Sequence, residues 1–508
     1  MDPSSVLGEL PEAPDPATVA RTLMDLGLDR VFDALARGRE AYDLLPILRS
    51  PSTDVAVVRF RHEVFRDLER APVRRVVDAF AGGMREVRRA REWSGKLRNE
   101  LQRARWWLEA VRAYGAAADR LARDLAASEP RSAGLVALRD HLESLVRSES
   151  FQRVQRESEA LERGLNAIRY TVRIEGSRVT IGPFAGEPDY SAVVESTFRR
   201  FPQGAGPPAR AVGPEDAEMD PVEEFVQDQV ARRFPELFVR LRGFPAAHPE
   251  FVDRRVARFD REVQFYLAYL DHLVPLREAG LAFAYPVLSE RSKEEEVLAT
   301  FDLALAGALR DGPTSVVPND VRLHGPERIL VVSGPNNGGK TTYARTVGQL
   351  HYLAQLGCPV PGQTATLLLC DRVLTHFGRG EPSADLRGNL ADELVRVREI
   401  LRTTTDRSVV VLNETFASAA LEDALELGRA VIARIVARDA LAVYVTFVDE
   451  LSVGGPETVS LVSTTRPDDP AVRTYRVLRR AADGRAYALA IAEKHGLSYA
   501  ALRERIRP

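Results

Sequence analysis

The sequence predicts a multidomain protein in which a mostly α-helical N-terminal region precedes an α/β domain. The chain has 508 residues, which is more than one ordinary domain requires. Apolar residues recur at three- and four-residue steps from about 17 to 170 and again from about 222 to 280. From about 315 onward, helical stretches separate several short apolar runs that predict strands, which is typical of a sheet covered by helices. These strand candidates are "RILVVSG", "TATLLLCD", "SVVVLNE", "LAVYVTFV" and "TVSLVSTT".

Composition restricts the function classes. Hydrophobic residues make up 45% of the chain and charged residues 28%, values typical of a soluble globular protein. No apolar run reaches the roughly 18 residues of a membrane span, and the acidic, Pro-rich start is unlike a secretory signal. Cys358 and Cys370 are the two cysteines, too few for a disulfide framework or a metal cluster. We therefore expect a cytoplasmic protein without a membrane partner, and the net charge of −3 argues against a general polyanion binder.

The N-terminal region is expected to consist of a tail, 1–16, and a helical region, 17–300. Within it, the stretch from Tyr170 to Phe184 alternates like two strands around Glu175-Gly176-Ser177, which predicts a hairpin. The stretch from Pro202 to Pro221 is rich in Pro and Gly and predicts a loop or linker. The helical region thus carries an insertion over about 150–255.

The strongest motif is "GPNNGGKTT", which follows the apolar strand candidate "RILVVSG" and precedes a helical pattern. It matches the phosphate-binding loop of nucleotide hydrolases and predicts a nucleotide with β- and γ-phosphates as ligand. Glycines let backbone N–H groups surround the phosphates, and the next helix directs its positive end at them. Lys340 would neutralise the β- and γ-phosphates, and Thr341 would join the Mg²⁺ shell. The residues expected to contact the nucleotide are Gly334, Pro335, Asn336, Asn337, Gly338, Gly339, Lys340, Thr341 and Thr342.

A second motif, "VVVLNE", predicts the other nucleotide-binding strand. Glu414 at its end is expected to deprotonate the attacking water as general base. Asn413 takes a place where an acid is usual, on the metal side. An amide oxygen can accept a hydrogen bond from metal-bound water but carries no charge, so we expect weaker Mg²⁺ binding or slower turnover.

The segment from Val316 to Gly362 closely resembles the ATPase domain of the MutS mismatch-repair family. It shares an apolar-Pro-Asn-Asp stretch (317–320), the loop G-P-N-x-x-G-K-[ST]-T (334–342), and a V-P-A-like end at 360–362, where Gly362 replaces alanine. The resemblance extends over about 315–500. It implies an ABC-type P-loop domain at 301–508, a core and lever at 17–300, and a reduced clamp tip at the hairpin.

Several positions depart from the family pattern. Gly388 stands at the serine of the family's signature helix, which reaches the partner's γ-phosphate, while Glu393 is kept. Phe447 stands at the histidine of the A-T-H switch. Val316 is at the position where an aromatic residue covers adenine in family members. Together with Asn413, these changes suggest a slower or differently gated ATPase.

The resemblance also makes DNA the expected partner, but mismatch recognition is doubtful. Family members that recognise mismatches carry a leading domain whose Phe-x-Glu motif stacks on the mismatched base. This chain begins almost directly with lever-like sequence, and its Phe-x-Glu at 234–236 is interpreted as a chance match. Branched or damaged duplexes are therefore favoured over single mismatches. A basic run (Arg85, Arg88, Arg89, Arg91, Lys96, Arg98, Arg103 and Arg105, with Trp93, Trp106 and Trp107) permits DNA-backbone binding. Acidic residues interrupt it, so a solvated helix face with core tryptophans is favoured; the hairpin's Arg173 and Arg178 are a second candidate.

The sequence thus predicts a MutS-like ATPase of DNA mismatch repair or recombination, acting as a homodimer whose clamp moves when ATP binds. Two alternatives stay open. One is a nucleotide-gated switch that binds DNA or protein and scarcely hydrolyses ATP, as Asn413 and Phe447 suggest. The other is an ATPase that acts on a protein partner without nucleic acid.

Overall fold

The computed structural model describes residues 5–11, 15–176, 178–186, 219–310, 312, 315–378, 386–466, 468–469 and 472–482. Helices dominate the first half, as the apolar periodicity predicts. The helices are α1 Pro16–Leu26, α2 Leu28–Ala36, α3 Leu45–Leu48, α4 Val55–Glu69, α5 Ala71–Lys96, α6 Glu100–Ala127, α7 Ala133–Arg147, α8 Glu149–Asn166, α9 Pro221–Arg233, α10 Pro235–Ala247, α11 Arg254–Glu278, α12 Leu303–Leu309, α13 Lys340–Leu356, α14 Leu386–Thr403 and α15 Leu421–Ala437.

The strands gather in the second half, apart from one hairpin. They are β1 Tyr170–Glu175, β2 Arg178–Pro183, β3 Phe283–Ala284, β4 Val287–Ser289, β5 Glu295–Thr300, β6 Asn319–Leu323, β7 Ile329–Ser333, β8 Val360–Pro361, β9 Thr364–Leu368, β10 Val373–Phe377, β11 Val409–Asn413, β12 Leu441–Val445, β13 Thr458–Thr465 and β14 Arg473–Arg479. The chain divides into a helical unit, Arg70–Arg131 with Leu135–Asp260, and a second unit that contains Met1–Glu69, Ser132–Gly134 and Arg261–Pro508.

The helical unit is built on the long helices α5 and α6. Asn99 lies between the two helices and is the N-cap of α6. Its side-chain oxygen accepts hydrogen bonds from the N–H groups of Leu101 and Gln102 at 3.0 and 3.1 Å. Leu101, Leu108 and other apolar residues of α6 pack on α8, α9 and α10. The periodic apolar face therefore becomes the core of this unit.

The predicted hairpin is confirmed. Strands β1 and β2 pair antiparallel with Glu175 opposite Arg178, and the buried Ile181 joins the helical core. Most of the predicted linker, up to residue 218, lies outside the described residues. Phe234, from the Phe-x-Glu triplet, caps α10 and packs on the same core.

The basic run on α5 and α6 lies among acidic partners. Arg88 pairs with Asp260, Lys96 with Glu92, and Arg105 with Glu109 at 3.2 Å. We expected the three tryptophans to lie in the core, but all three are only half-buried. Trp93 and Trp106 meet edge to face at 4.3 Å, and the Trp107 N–H donates to the His248 carbonyl at 3.2 Å. An indole with one polar edge is stable at such a boundary, which explains the partial exposure.

The second unit contains a six-stranded sheet in the order β10-β11-β12-β7-β13-β14. All pairings are parallel except that of β13 with β14. Strands β7, β11 and β12 are buried throughout, as continuous apolar runs predict, and helices α14 and α15 pack on the sheet. The predicted strands in "RILVVSG", "SVVVLNE", "LAVYVTFV" and "TVSLVSTT" are confirmed within this sheet.

A second sheet, in the order β4-β9-β5-β6, includes the predicted strand in "TATLLLCD" as β9. Strands β4 and β5 precede residue 301, yet both pair with β9. Strand β3 likewise pairs with β8 across the same boundary. The expected domain boundary at 301 therefore falls inside these sheets, because pairing between distant short strands leaves no local signal in the sequence.

Candidate functional site

The phosphate-loop motif lies at the carboxyl end of β7, between strands β12 and β13. Gly339 caps α13 with a φ of 93°, a conformation that favours glycine, and the helix begins at Lys340. The first amides of α13 have no intrahelical partner and lie at this edge. A helix start of this kind binds anions.

Glycine is required where the loop passes over β13. A Cβ atom on Gly334 would lie 2.7 Å from Ser463 Oγ, and one on Gly338 would lie 2.6 Å from the same atom. The φ of 109° at Gly334 adds a second requirement. The close approach of loop to strand thus explains two glycines that the sequence pattern alone assigned to phosphate binding.

Lys340 is buried inside the loop. Its Nζ donates to the Gly334 carbonyl at 2.8 Å and to Asn336 Oδ1 at 3.1 Å. Burial lowers the pKa of Lys340, although the carboxylates of Glu414 and Asp449 act in the opposite direction. Its ammonium group therefore has acceptors in the loop that phosphate oxygens can replace.

Asn413 ends β11 at the same edge of the sheet and is buried. Its Oδ1 has no hydrogen-bond partner, and neither do Thr415 Oγ1, Ser333 Oγ and Ser463 Oγ. Buried polar atoms are normally paired. Unpaired oxygens beside a phosphate loop fit a site that takes up a hydrated cation and a polyphosphate.

The oxygen donors at this edge suit Mg²⁺. In the described part of the chain, no three His, Cys, Asp or Glu side chains converge as a metal cage. Mg²⁺ usually takes few protein oxygens and keeps water and phosphate ligands. Thr341, which lines the cleft, and Asn413, with its unpaired Oδ1, are the predicted ligands and fit that arrangement.

Glu414 follows β11 and lines the cleft. Its backbone is left-handed, with a φ of 52°, and its N–H donates to the Val445 carbonyl at 3.0 Å. Such a conformation is uncommon for a residue other than glycine and often occurs at functional sites.

The cleft has a volume of about 1070 Å³, which accommodates a nucleotide. It brings together most of the predicted loop residues (Asn336, Asn337, Gly339, Lys340, Thr341 and Thr342) with Glu414 and Val316. Gly334, Pro335 and Gly338 belong to the same loop but not to the cleft lining. Phe301, Leu305 and Leu309 add an apolar wall, which the sequence did not indicate.

Tyr475 is a further cleft residue that the sequence did not indicate. It is 52% exposed, lies next to Gly339 and has a φ of 57°. Asn319, from the Pro-Asn-Asp stretch, stabilises it by donating Nδ2 to the Tyr475 carbonyl at 3.1 Å and accepting the Val477 N–H at 2.8 Å. Strand β14, which carries Tyr475, is not among the predicted strands, and its one aromatic residue is the signal that could have indicated it.

Two of the departures from the family pattern, Phe447 and Gly388, lie outside the phosphate loop. Phe447 follows β12 and is 45% exposed. Gly388 lies in the first turn of α14. Glu393, further along that helix, accepts the Phe416 N–H on Oε2 at 3.0 Å.

None of the helices in the described ranges combines the length and apolar character needed to cross a bilayer.

Comparisons with known proteins agree with this geometry. Residues 330–504 match the family model of MutS domain V. The DNA mismatch repair protein MutS 2 of Halobacterium salinarum is 36% identical over 186 residues, 36% of this chain and 21% of that protein. Endonuclease MutS2 of Gemmatimonas aurantiaca is 31% identical over 183 residues, 35% and 22% of the two chains. The DNA mismatch repair protein MutS of Oleidesulfovibrio alaskensis is 31% identical over 183 residues, 36% and 20%. The chain thus spans about a fifth of the length of these curated relatives.

Proposed function

We propose that this chain, whose residues 330–504 belong to the MutS family as its domain V, binds and hydrolyses ATP. The observation that carries the proposal is the cleft in which Lys340, Thr341 and Glu414 lie together at the carboxyl edge of a parallel sheet. A cationic phosphate partner, a hydroxyl for the metal and a carboxylate base are the groups that phosphoryl transfer to water requires.

Each of these residues has its own role in the proposed reaction. Lys340 exchanges its bonds to Gly334 and Asn336 for phosphate oxygens, and its positive charge stabilises the charge that develops on them. Thr341 and Asn413 would hold Mg²⁺, which would supply positive charge to stabilise the charge that develops on the γ-phosphoryl group. Glu414 orients the attacking water and accepts its proton.

The base of the nucleotide is proposed to lie between Val316 and Tyr475. Val316 is buried and offers an apolar contact, whereas the Tyr475 ring is exposed at the cleft. An aromatic ring can stack on adenine, so Tyr475 would supply the aromatic contact that Val316 cannot.

The nucleic-acid part of the proposal rests on the relatives. Two of the named relatives are DNA mismatch repair proteins and one is an endonuclease. We infer that a homodimer binds branched or damaged duplex DNA in the cytoplasm and that ATP moves its clamp. The helical region 17–300, with its insertion at about 150–255, would serve as lever and reduced clamp. An ABC-type P-loop domain would follow this region. Strands β3 and β4, from Phe283 onward, would belong to that domain, because they pair with its strands β8 and β9.

A nucleotide-gated switch with little hydrolysis is the second candidate. Asn413 favours it, because a buried amide oxygen carries no charge with which to hold a cation. The exposed phenyl ring of Phe447 also cannot hydrogen-bond a phosphate.

Steady-state ATP turnover, with and without branched duplex DNA, tests the proposal. We expect turnover that DNA alters and that both Lys340→Ala and Glu414→Ala reduce by at least about 100-fold, since each removes a group acting in the transition state. Arg466→Ala, at an exposed pair with Asp468, is the control and should change little. Tight ATP binding without turnover would refute the enzyme and support the switch. Turnover that ignores DNA at every salt concentration would support an ATPase with a protein partner.

A further inference from the structure

One side chain of α14 contacts the loop that carries Glu414. Glu393 Oε2 accepts the backbone N–H of Phe416 at 3.0 Å. Glu393 is half-buried, and burial raises its pKa, while the bond from Phe416 acts in the opposite direction. A carboxylate that accepts an amide N–H in a partly buried place makes a strong, directional hydrogen bond.

The loop needs such a contact because its backbone is strained. Glu414 has a φ of 52° and Phe416 a φ of 65°, so two residues within three positions adopt the left-handed conformation. Neither is glycine, and such conformations persist only where the surroundings determine them strongly.

Four hydrogen bonds and one buried ring determine this loop. The N–H groups of Glu414, Ala417 and Ala419 donate to backbone carbonyls at 3.0, 3.3 and 3.0 Å. The Phe416 ring is 1% exposed within the sheet core. The fourth bond, to Glu393, is made by a side chain from a different helix and ties the loop to α14.

We propose that Glu393 is a positioning residue: its carboxylate fixes the Phe416 amide and so holds residues 414–416 in the conformation that directs Glu414 into the cleft. The inference rests on the proposed function in that Glu414 is the base. It also makes the placement of Glu414 depend on the position of α14. A small displacement of a catalytic base lowers the rate steeply, whereas nucleotide binding depends on other residues.

Three variants test this role. Glu393→Ala removes the acceptor, and Glu393→Gln keeps an acceptor oxygen without the charge. Glu399→Ala, two turns along the same helix, is the matched control, because Glu399 bonds Arg402 on the protein surface. Two sets of measurements are made on the full chain: kcat and KM for ATP with the Kd of a non-hydrolysable analogue, and hydrogen exchange of the peptide over 412–419.

Glu393→Ala should lower kcat roughly 10- to 100-fold, whereas KM and Kd should stay within about twofold of the wild-type values. Hydrogen exchange of the Phe416 amide should be at least about tenfold faster in this variant than in the wild type. Glu393→Gln should restore both to within about threefold, and Glu399→Ala should match the wild type. Unchanged exchange and kcat in Glu393→Ala would overturn the proposal. So would losses in affinity and thermal stability that glutamine does not restore. If Glu393→Ala does not fold, Glu393→Asp, whose carboxylate is one carbon shorter, replaces it with the same expected outcomes.

Failure of the proposed function gives a different pattern. A wild-type chain that binds ATP without turnover refutes the ATPase, but hydrogen exchange at Phe416 still decides whether Glu393 holds the loop. Faster exchange in Glu393→Ala and recovery in Glu393→Gln then support the contact. Equal exchange in all variants overturns it.

Discussion

Gly338→Ala is expected to weaken nucleotide binding roughly 10- to 100-fold while leaving the fold intact. The added Cβ would lie 2.6 Å from Ser463 Oγ and 2.9 Å from the Pro335 carbonyl oxygen, both below van der Waals contact. The carbonyl belongs to the loop backbone, so a side-chain rotation cannot relieve the overlap. Overpacking of this kind costs about 1–3 kcal/mol, which the loop avoids by moving away from β13.

A displaced loop loses amide contacts to the phosphates. One hydrogen bond to a charged group contributes about 1.5–3 kcal/mol, so the loss of one bond weakens binding roughly 10- to 100-fold. The assay is titration with a fluorescent ATP analogue, together with thermal unfolding followed by circular dichroism. Gly243→Ala, in α10 with open space around its Cβ position, is the control and should bind normally. Wild-type affinity in Gly338→Ala would refute the requirement for close packing against Ser463.

Two further predictions concern the cleft wall and acid stability. Tyr475→Ala should weaken ATP binding roughly 5- to 150-fold and Tyr475→Phe should leave it unchanged, because stacking on a base contributes about 1–3 kcal/mol and needs only the ring. Equal affinities for all three proteins by the same titration would remove Tyr475 from the base site. Burial, reinforced by Arg396 and Arg21, lowers the pKa of His376 to about 4. The contribution of His376 to the free energy of unfolding is therefore fully present above its pKa in the unfolded chain, roughly 6.5. About 3 kcal/mol of this free energy is lost as the pH falls toward 4. Urea unfolding at pH 7.5, 6 and 4.5 should show a steeper loss for the wild type than for His376→Leu, and parallel curves would contradict this.

The sequence by itself determined the strand, glycine-rich loop and helix of the phosphate-loop motif and the strands around it. The loop, its strand and its helix are contiguous, so glycine spacing and apolar runs contain the whole signal. The long helices α5 and α6 were equally accessible, because a 3.6-residue period is a local property. Position alone also singled out Glu414 at the end of a buried strand.

Only the tertiary structure decided which distant residues meet these motifs. Tyr475 reaches the cleft because β14 pairs with β13, and Asn319 stabilises it although 156 residues separate the two in the chain. Glu393 reaches Phe416 because α14 packs on the sheet. Strands β3, β4 and β5 join sheets with partners beyond residue 301. Each of these contacts joins segments far apart in the chain, and their free energy arises from packing and pairing that no local pattern of residues encodes.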